Sequence, residues 1–242
     1  MYFLALATDY DDTLARWSKV EPATLRALQL VRDSGRRLIL VTGRTLPDLQ
    51  SVFPEIGIFD FVVAENGALL FEPAKNEQTL LAEPPTSHFL RRLKQLRISP
   101  LSVGRAIVAT REPNETAVLT AIRDLGLELQ IIFNKGAVMV LPSTINKATG
   151  LRTALTRMGI SAHNVVGIGD AENDYEFLAA CGCAVAVDNA VPALKEAADW
   201  VTHARGSGVV ELAHLLVEYD LQTPQFPAPR LGPILRSAAK GS

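Results

Sequence analysis

Short apolar runs that end abruptly in polar residues constrain this chain most. The first, Leu4-Ala5-Leu6-Ala7, stops at Thr8-Asp9-Tyr10-Asp11-Asp12-Thr13. Phe3 to Ala7 is too short for a helix and reads as a buried strand. Asp9 and Asp11 lie two residues apart, so an extended chain would send both carboxylates off one side of the strand end. Held about 4 Å apart, they would repel by roughly 4 kcal/mol at an effective dielectric near 20. A divalent cation or a lysine would reverse that sign. A solvated turn is the bland alternative, since Asp and Thr are ordinary turn residues. The rest of the chain has to decide between them.

The same pattern recurs. A helix opens at Pro22, carries Leu25, Leu28, Leu30 and Val31, and stops at Gly35. Leu38 to Val41 is a second buried strand and ends in Thr42-Gly43-Arg44. Leu46 to Val52 reads as a helix and Phe61 to Ala64 as a third strand. Glu65-Asn66-Gly67-Ala68 then makes a tight turn into Leu69 to Phe71. The pattern resumes at residue 143, with a helix over Lys147–Met158. A strand over 164–168 ends in Gly169-Asp170-Ala171-Glu172-Asn173-Asp174, and a helix runs on to Ala180. A strand over 183–187, a helix from Pro192, a short strand over 200–202 and a helix over 208–219 follow. Strand and helix alternate, which predicts an α/β fold with a parallel sheet, right-handed crossovers and helices on both faces.

Between these halves the pattern changes. Residues 73–86 hold Pro73, Pro84 and Pro85 and read as a linker or loop. From Ser87 to Leu141 the order is helix, strand, helix, strand, strand, with a hairpin across Asn134-Lys135-Gly136. That is enough for a small α+β insert. The expected organisation is a discontinuous core (1–72 and 143–220), a cap (73–142) and a proline-rich tail or linker (221–242), the tail being a possible connection to a further domain. The cap is expected to move as a lid hinged near 72–86 and 142–146.

With 242 residues and a net charge of −2, the chain lacks the basic excess that nucleic acid would favour. No apolar run approaches the 18 residues of a membrane span, and the apolar start lacks a signal peptide's basic region. Cys181 and Cys183 are too close in sequence for a comfortable disulfide and have no further Cys for a metal site. They read as reduced thiols of a cytoplasmic protein. Nothing in the sequence speaks to oligomeric state.

The polar residues gather after strands. Asp9 and Asp11, Thr42, and Asp170 and Asp174 each follow a predicted buried strand, and parallel strands end at one sheet edge, where ligands bind. Lys147 opens a helix that can reach the same edge. Carboxylates without His or Cys partners favour Mg²⁺ over Zn²⁺ and leave positions for phosphate oxygens. Thr42 and the backbone at Gly43 can grip phosphate, and Lys147 can neutralise charge as the phosphoryl group moves. Asp9 can attack phosphorus, while Asp11 protonates the leaving oxygen and later activates water. Arg44 is a further candidate for touching substrate. In the cap, Arg105 or Arg111 is the candidate for binding an anionic substrate.

Four pieces, Asp9-x-Asp11-x-Thr13, Thr42-Gly43-Arg44, Lys147 and Gly169-Asp170-x-x-Asn173-Asp174, resemble in kind and order the signature motifs of the haloacid dehalogenase superfamily. The position of the insert and Glu65-Asn66-Gly67-Ala68 resemble its Cof-type phosphatases, subfamily IIB, with a C2 cap. The resemblance spans roughly residues 1–220 and implies a Rossmannoid core under an α+β cap. It implies a Mg²⁺-dependent phosphatase that hydrolyses a small phosphorylated metabolite, a sugar phosphate or phosphoglycolate, through an aspartyl-phosphate. By the same resemblance Asp9 is nucleophile and Mg²⁺ ligand, and Asp11 is acid/base with its backbone carbonyl on the metal. Thr42 and Lys147 hold phosphate, Asp170 ligates the metal, Asp174 supports its waters, and Asn66 and Asn173 stand nearby. A phosphomutase or phosphotransferase, or a regulatory module within a larger protein, are the alternatives. Asp12 stands where relatives often carry glycine, and its side chain is expected to point away from the site.

Overall fold

A computed structural model describes residues 2–203 and 207–221. The proline-rich tail expected over 221–242 lies, except for Leu221, outside the described residues.

Among the described residues, twelve strands and eight α-helices make two sheets with their covering helices. The strands are β1 (Ala5–Thr8), β2 (Arg37–Val41), β3 (Phe61–Ala64), β4 (Leu69–Glu72), β5 (Glu77–Leu80), β6 (Ser102–Val103), β7 (Val108–Arg111), β8 (Leu129–Asn134), β9 (Ala137–Pro142), β10 (Val165–Gly169), β11 (Cys183–Ala186) and β12 (Trp200–Val201). The helices are α1 (Pro22–Asp33), α2 (Leu46–Val52), α3 (Ser87–Gln95), α4 (Glu115–Asp124), α5 (Lys147–Met158), α6 (Tyr175–Ala180), α7 (Pro192–Ala197) and α8 (Gly208–Tyr219).

The large sheet runs β12-β11-β10-β1-β2-β3-β4-β5. From β12 to β3 every pairing is parallel; β4 and β5 return antiparallel. The central strands β1, β3 and β10 are buried throughout. That is why they read as unbroken apolar runs: a parallel sheet covered on both faces has no polar side to alternate with. Helix α1 packs on α8, and α5 packs on α6 and against β2, β3 and β4.

Chain order reverses at β1, whose neighbours are β2 on one side and β10 on the other. Thr8 is level with Leu40 of β2 and with Ile168 of β10. The residues that follow these three strands therefore converge at the switch point, where a crevice opens in an open α/β sheet.

The small sheet runs β6-β7-β9-β8, all antiparallel, under α3 and α4. Two expectations change here. The apolar stretch from Leu101 to Ala109 is not one strand but β6 and β7, folded back at Gly104, whose N–H donates to the carbonyl of Ile107 (2.8 Å). The stretch 73–86, expected as linker or loop, contains β5, which closes the edge of the large sheet by pairing with β4.

Candidate active site

At the tip of β1 the side chain of Asp9 is buried and faces Lys147, the first residue of α5. Lys147 is 1% exposed; its Nζ donates to Asp9 Oδ1 (2.6 Å) and to Asp174 Oδ1 (2.5 Å). A capping box at Asn146 and Thr149 fixes the start of the helix that delivers it. The second oxygen of Asp174 accepts the backbone N–H groups of Asp170 (2.8 Å) and Ala171 (3.0 Å). Gly169 is required there: a Cβ would lie 2.6 Å from Asp174 Oδ2.

Oxygens of Asp9, Asp170 and Asp174 lie within 4.8 Å of one another, all three residues buried. Burial first, and then the neighbouring Asp174 and Asp170, push the Asp9 carboxyl well above its ordinary range. Burial and Asp174 push Asp170 up to about 6 against the opposing pull of Lys135. Burial would lower the Lys147 ammonium, but Asp174 and Asp9 outweigh it and hold it raised and charged. A buried, oxygen-only set of carboxylates that repel one another suits a hard divalent cation. Asp11 is not in that cluster. Its carboxylate is half-exposed and takes two hydrogen bonds from Arg44, at 2.7 and 2.8 Å. Asp9 and Asp11, expected side by side, thus have separate cations.

Arg44 also pairs with Asp48 (2.8 Å), donates to Ser18 Oγ (2.6 Å) and lies 5.3 Å from the centre of the Tyr10 ring. The structure thus gives its guanidinium to core residues, first of all Asp11. Thr42 is fully buried at the end of β2, and its Oγ1 accepts from the Arg44 N–H (3.1 Å). Asn66 and Asn173 both border Gly43, and Asn173 Nδ2 donates to Asn66 Oδ1 (3.1 Å). The Asn66 Nδ2 donor and the Asn173 Oδ1 acceptor are buried without a partner among the described residues. A buried amide left half-satisfied beside a glycine loop fits a ligand that completes it.

The small sheet roofs this edge. Met139 of β9 reaches over the phosphate-loop candidate, its Sδ 3.3 Å from where a Cβ on Gly43 would stand. Two features, at Lys135 and Glu65, escaped the sequence reading, and one candidate, Arg105, is engaged elsewhere. Lys135, in the β8–β9 turn, pairs with Asp12 (2.8 Å) and with Asp170. Asp12 therefore faces the cap rather than pointing away. Arg105, a candidate for substrate, donates instead to Gln78 of β5 (3.0 Å). Glu65, fully buried with φ 51°, accepts the backbone N–H groups of Arg105 (2.9 Å), Ala106 (2.8 Å) and Ile107 (3.0 Å). The Glu65–Gly67 turn also donates to the carbonyls of Arg44 and Thr42. At Gly67 (φ 107°) it passes so close to α5 that a Cβ would meet the Asn146 carbonyl oxygen at 1.9 Å. One turn thus touches the cap, the Thr42 loop and the helix bearing Lys147.

The sequence model for haloacid dehalogenase-like hydrolases matches residues 6–99 and 107–212. This chain belongs to that family. Among named relatives, a phosphoglycolate phosphatase of Methanothermobacter thermautotrophicus is 35% identical over 217 residues, 86% of this chain and 96% of its own. Another, of Methanosarcina acetivorans, is 30% identical over 226 residues, 89% of this chain and 97% of its own. Among solved structures, a haloacid dehalogenase-like hydrolase from Bacteroides thetaiotaomicron superposes with TM-score 0.74 at 18% identity, over 88% of this chain and 99% of that one. A subclass IIB sugar phosphatase superposes with TM-score 0.72 at 19% identity, with the same coverage. The family is the one its four motifs imply; the chain falls in the Cof-type phosphatase branch that the position of its insert and Glu65-Asn66-Gly67-Ala68 imply, and is a phosphoric monoester hydrolase. Among the described residues no helix is long and apolar enough to cross a membrane.

Proposed function

We propose that the chain is a Mg²⁺-dependent phosphatase acting on a small phosphorylated metabolite of the 2-phosphoglycolate or sugar phosphate kind. The observation that carries this is the meeting of Asp9, Lys147 and the Thr42–Gly43 loop at one switch point, with an unpartnered buried Asn66 donor beside them. Asp9 Oδ attacks phosphorus, and the bond from phosphorus to the substrate's organic oxygen breaks. Asp11 gives that oxygen its proton, then takes one from the water that hydrolyses the phosphoaspartate to free phosphate. To do so Asp11 exchanges its contact with Arg44 for one with the leaving oxygen. Lys147 favours the ionised form of Asp9 against the burial that opposes it and aims the carboxylate, and with Thr42, the Gly43 backbone and Asn66 it neutralises the phosphoryl oxygens. Asp9 and Asp170, with the Asp11 backbone carbonyl, would hold Mg²⁺, which when bound supplies further charge to those oxygens. Asp174, both oxygens engaged, orients this set. Two buried cysteines fit a cytoplasmic location.

The test is phosphate release from a panel of phosphorylated metabolites with and without Mg²⁺. Activity is expected to vanish with EDTA and with Asp9→Asn. Turnover that survives either would sink the mechanism.

A further inference from the structure

The β8–β9 turn carries an ammonium where such a turn disfavours one. Lys135 (φ 45°) and Gly136 (φ 80°) are consecutive left-handed residues, the pattern of tight hairpin turns that Asn, Asp and Gly fill. A lysine in the first of these positions bears a backbone penalty that asparagine or glycine would avoid. Its partner Asp12 is also left-handed, at φ 58°. Two unfavourable backbones therefore bring opposite charges together between the two sheets, Lys135 Nζ to Asp12 Oδ2 at 2.8 Å. Asn189 Nδ2 fixes Asp12 from behind by donating to its carbonyl (2.8 Å). Strain kept at a polar contact between two layers points to a use for the contact.

Beside the pair opens a cleft of about 500 Å³, lined among others by the cations Arg16 and Lys135, the acid Asp188, and Thr13, Trp17 and Asn189. That is room for a small organic ligand. Thr13 Oγ1 donates to Asp170 (3.3 Å), so the cleft adjoins the acid cluster. Trp17, 90% exposed, tops the short Arg16–Lys19 hairpin at its rim. The Arg16 side chain has no ion pair among the described residues. An ammonium has three donors. Asp12 and Asp170 take two from Lys135, which leaves the third for the cleft its side chain lines, 39% exposed.

We propose that this cleft takes the organic part of the substrate. Lys135, aimed by Asp12, is the specificity-determining residue that selects a leaving group bearing its own anion, a carboxylate above all. The inference rests on the phosphatase reading and narrows its substrate class. Asp12 is a positioning residue acting through Lys135.

The experiment compares kcat and KM on 2-phosphoglycolate and on p-nitrophenyl phosphate, at saturating Mg²⁺, for the wild type and four variants. Lys135→Met is expected to lower kcat/KM about 10- to 100-fold more for 2-phosphoglycolate than for p-nitrophenyl phosphate, mainly through KM. Lys135→Asn, which suits the turn, should shift the ratio alike, and Lys135→Arg should restore most of it. Asp12→Asn should move it the same way by less. Equal losses on both substrates, or no loss on either, would overturn the assignment. Wild-type hydrolysis of p-nitrophenyl phosphate without hydrolysis of 2-phosphoglycolate would overturn it while leaving the phosphatase reading intact. A wild type inactive on both substrates and on the wider panel would remove both.

Discussion

Two lysines, each set between two aspartates, stand on opposite sides of the crevice, and they differ in almost every other respect. Lys147 is delivered by a capped helix of the large sheet's layer, is fully buried, and joins Asp9 to Asp174. Lys135 is delivered by a strained turn of the small sheet, is partly open to solvent, and joins Asp12 to Asp170. A buried ammonium among carboxylates cannot leave without stranding charge, so on the proposed function it serves every turnover. A half-exposed one on a separate layer can be exchanged for a substrate group, so it belongs to what differs between substrates.

Replacing each lysine should break this symmetry sharply. Lys147→Met leaves buried carboxylates uncompensated and should lose about 3–5 kcal/mol of stability in urea titrations. It should also lose about 10²- to 10³-fold or more in phosphate release. Comparable turnover in this variant would show that the two lysines are not of different kinds. Next in size is Glu65→Ala, which orphans three backbone donors where the layers meet. We expect a loss of about 2–3 kcal/mol, with faster amide exchange at Arg105, Ala106 and Ile107.

A pH series sharpens the contrast from the side of the acids. Burial raises the Asp170 carboxyl to about 6, above its unfolded value. Its contribution to stability is then present in acid and lost as pH rises through about 6, where the buried carboxylate ionises. A divalent cation relieves that ionised form, so its rise in melting temperature should be large near pH 8 and small near pH 5. A rise independent of pH would detach Asp170 from the metal. The smallest effect belongs to Lys135→Met measured near pH 5, where Asp170 is largely protonated and the exposed pair with Asp12 is what is lost: under about 1 kcal/mol of global stability. A loss as large as that of Lys147→Met would make Lys135 a structural strut.

The same contrast explains what was legible in the sequence. Fully buried parallel strands write themselves as apolar runs, and residues just past their ends must share an edge, so Asp9, Thr42 and Asp170 could be grouped without coordinates. Lys147 could be added because a helix start leads to that edge. Strand β5 left no such mark: Glu77-Gln78-Thr79-Leu80 is an edge strand held by backbone pairing, with little apolar periodicity. Lys135 reads locally as a turn residue, because its role depends on how one layer sits on the other. Arg44 follows Gly43, yet Asp11 and Asp48 claim its guanidinium, a competition between distant residues that no local pattern records. Glu65 could be seen only as part of a turn, since its three donors come from some forty residues along the chain.

That clamp gives the roof a fulcrum. Residues 105–107, bound to Glu65, precede β7, and the Lys135 turn lies past its other end, where Arg111 pairs with Ala137 as Val108 pairs with Val140. Strand geometry puts roughly 13 Å between clamp and tip, so a tilt of about 10° about Glu65 moves the ammonium by roughly 2 Å. A displacement of that size makes or breaks a hydrogen bond. On the proposed function, such a change of angle would admit or refuse a substrate's far end, while the Thr42–Gly43 loop and Lys147, tied to the same turn, stay where they are.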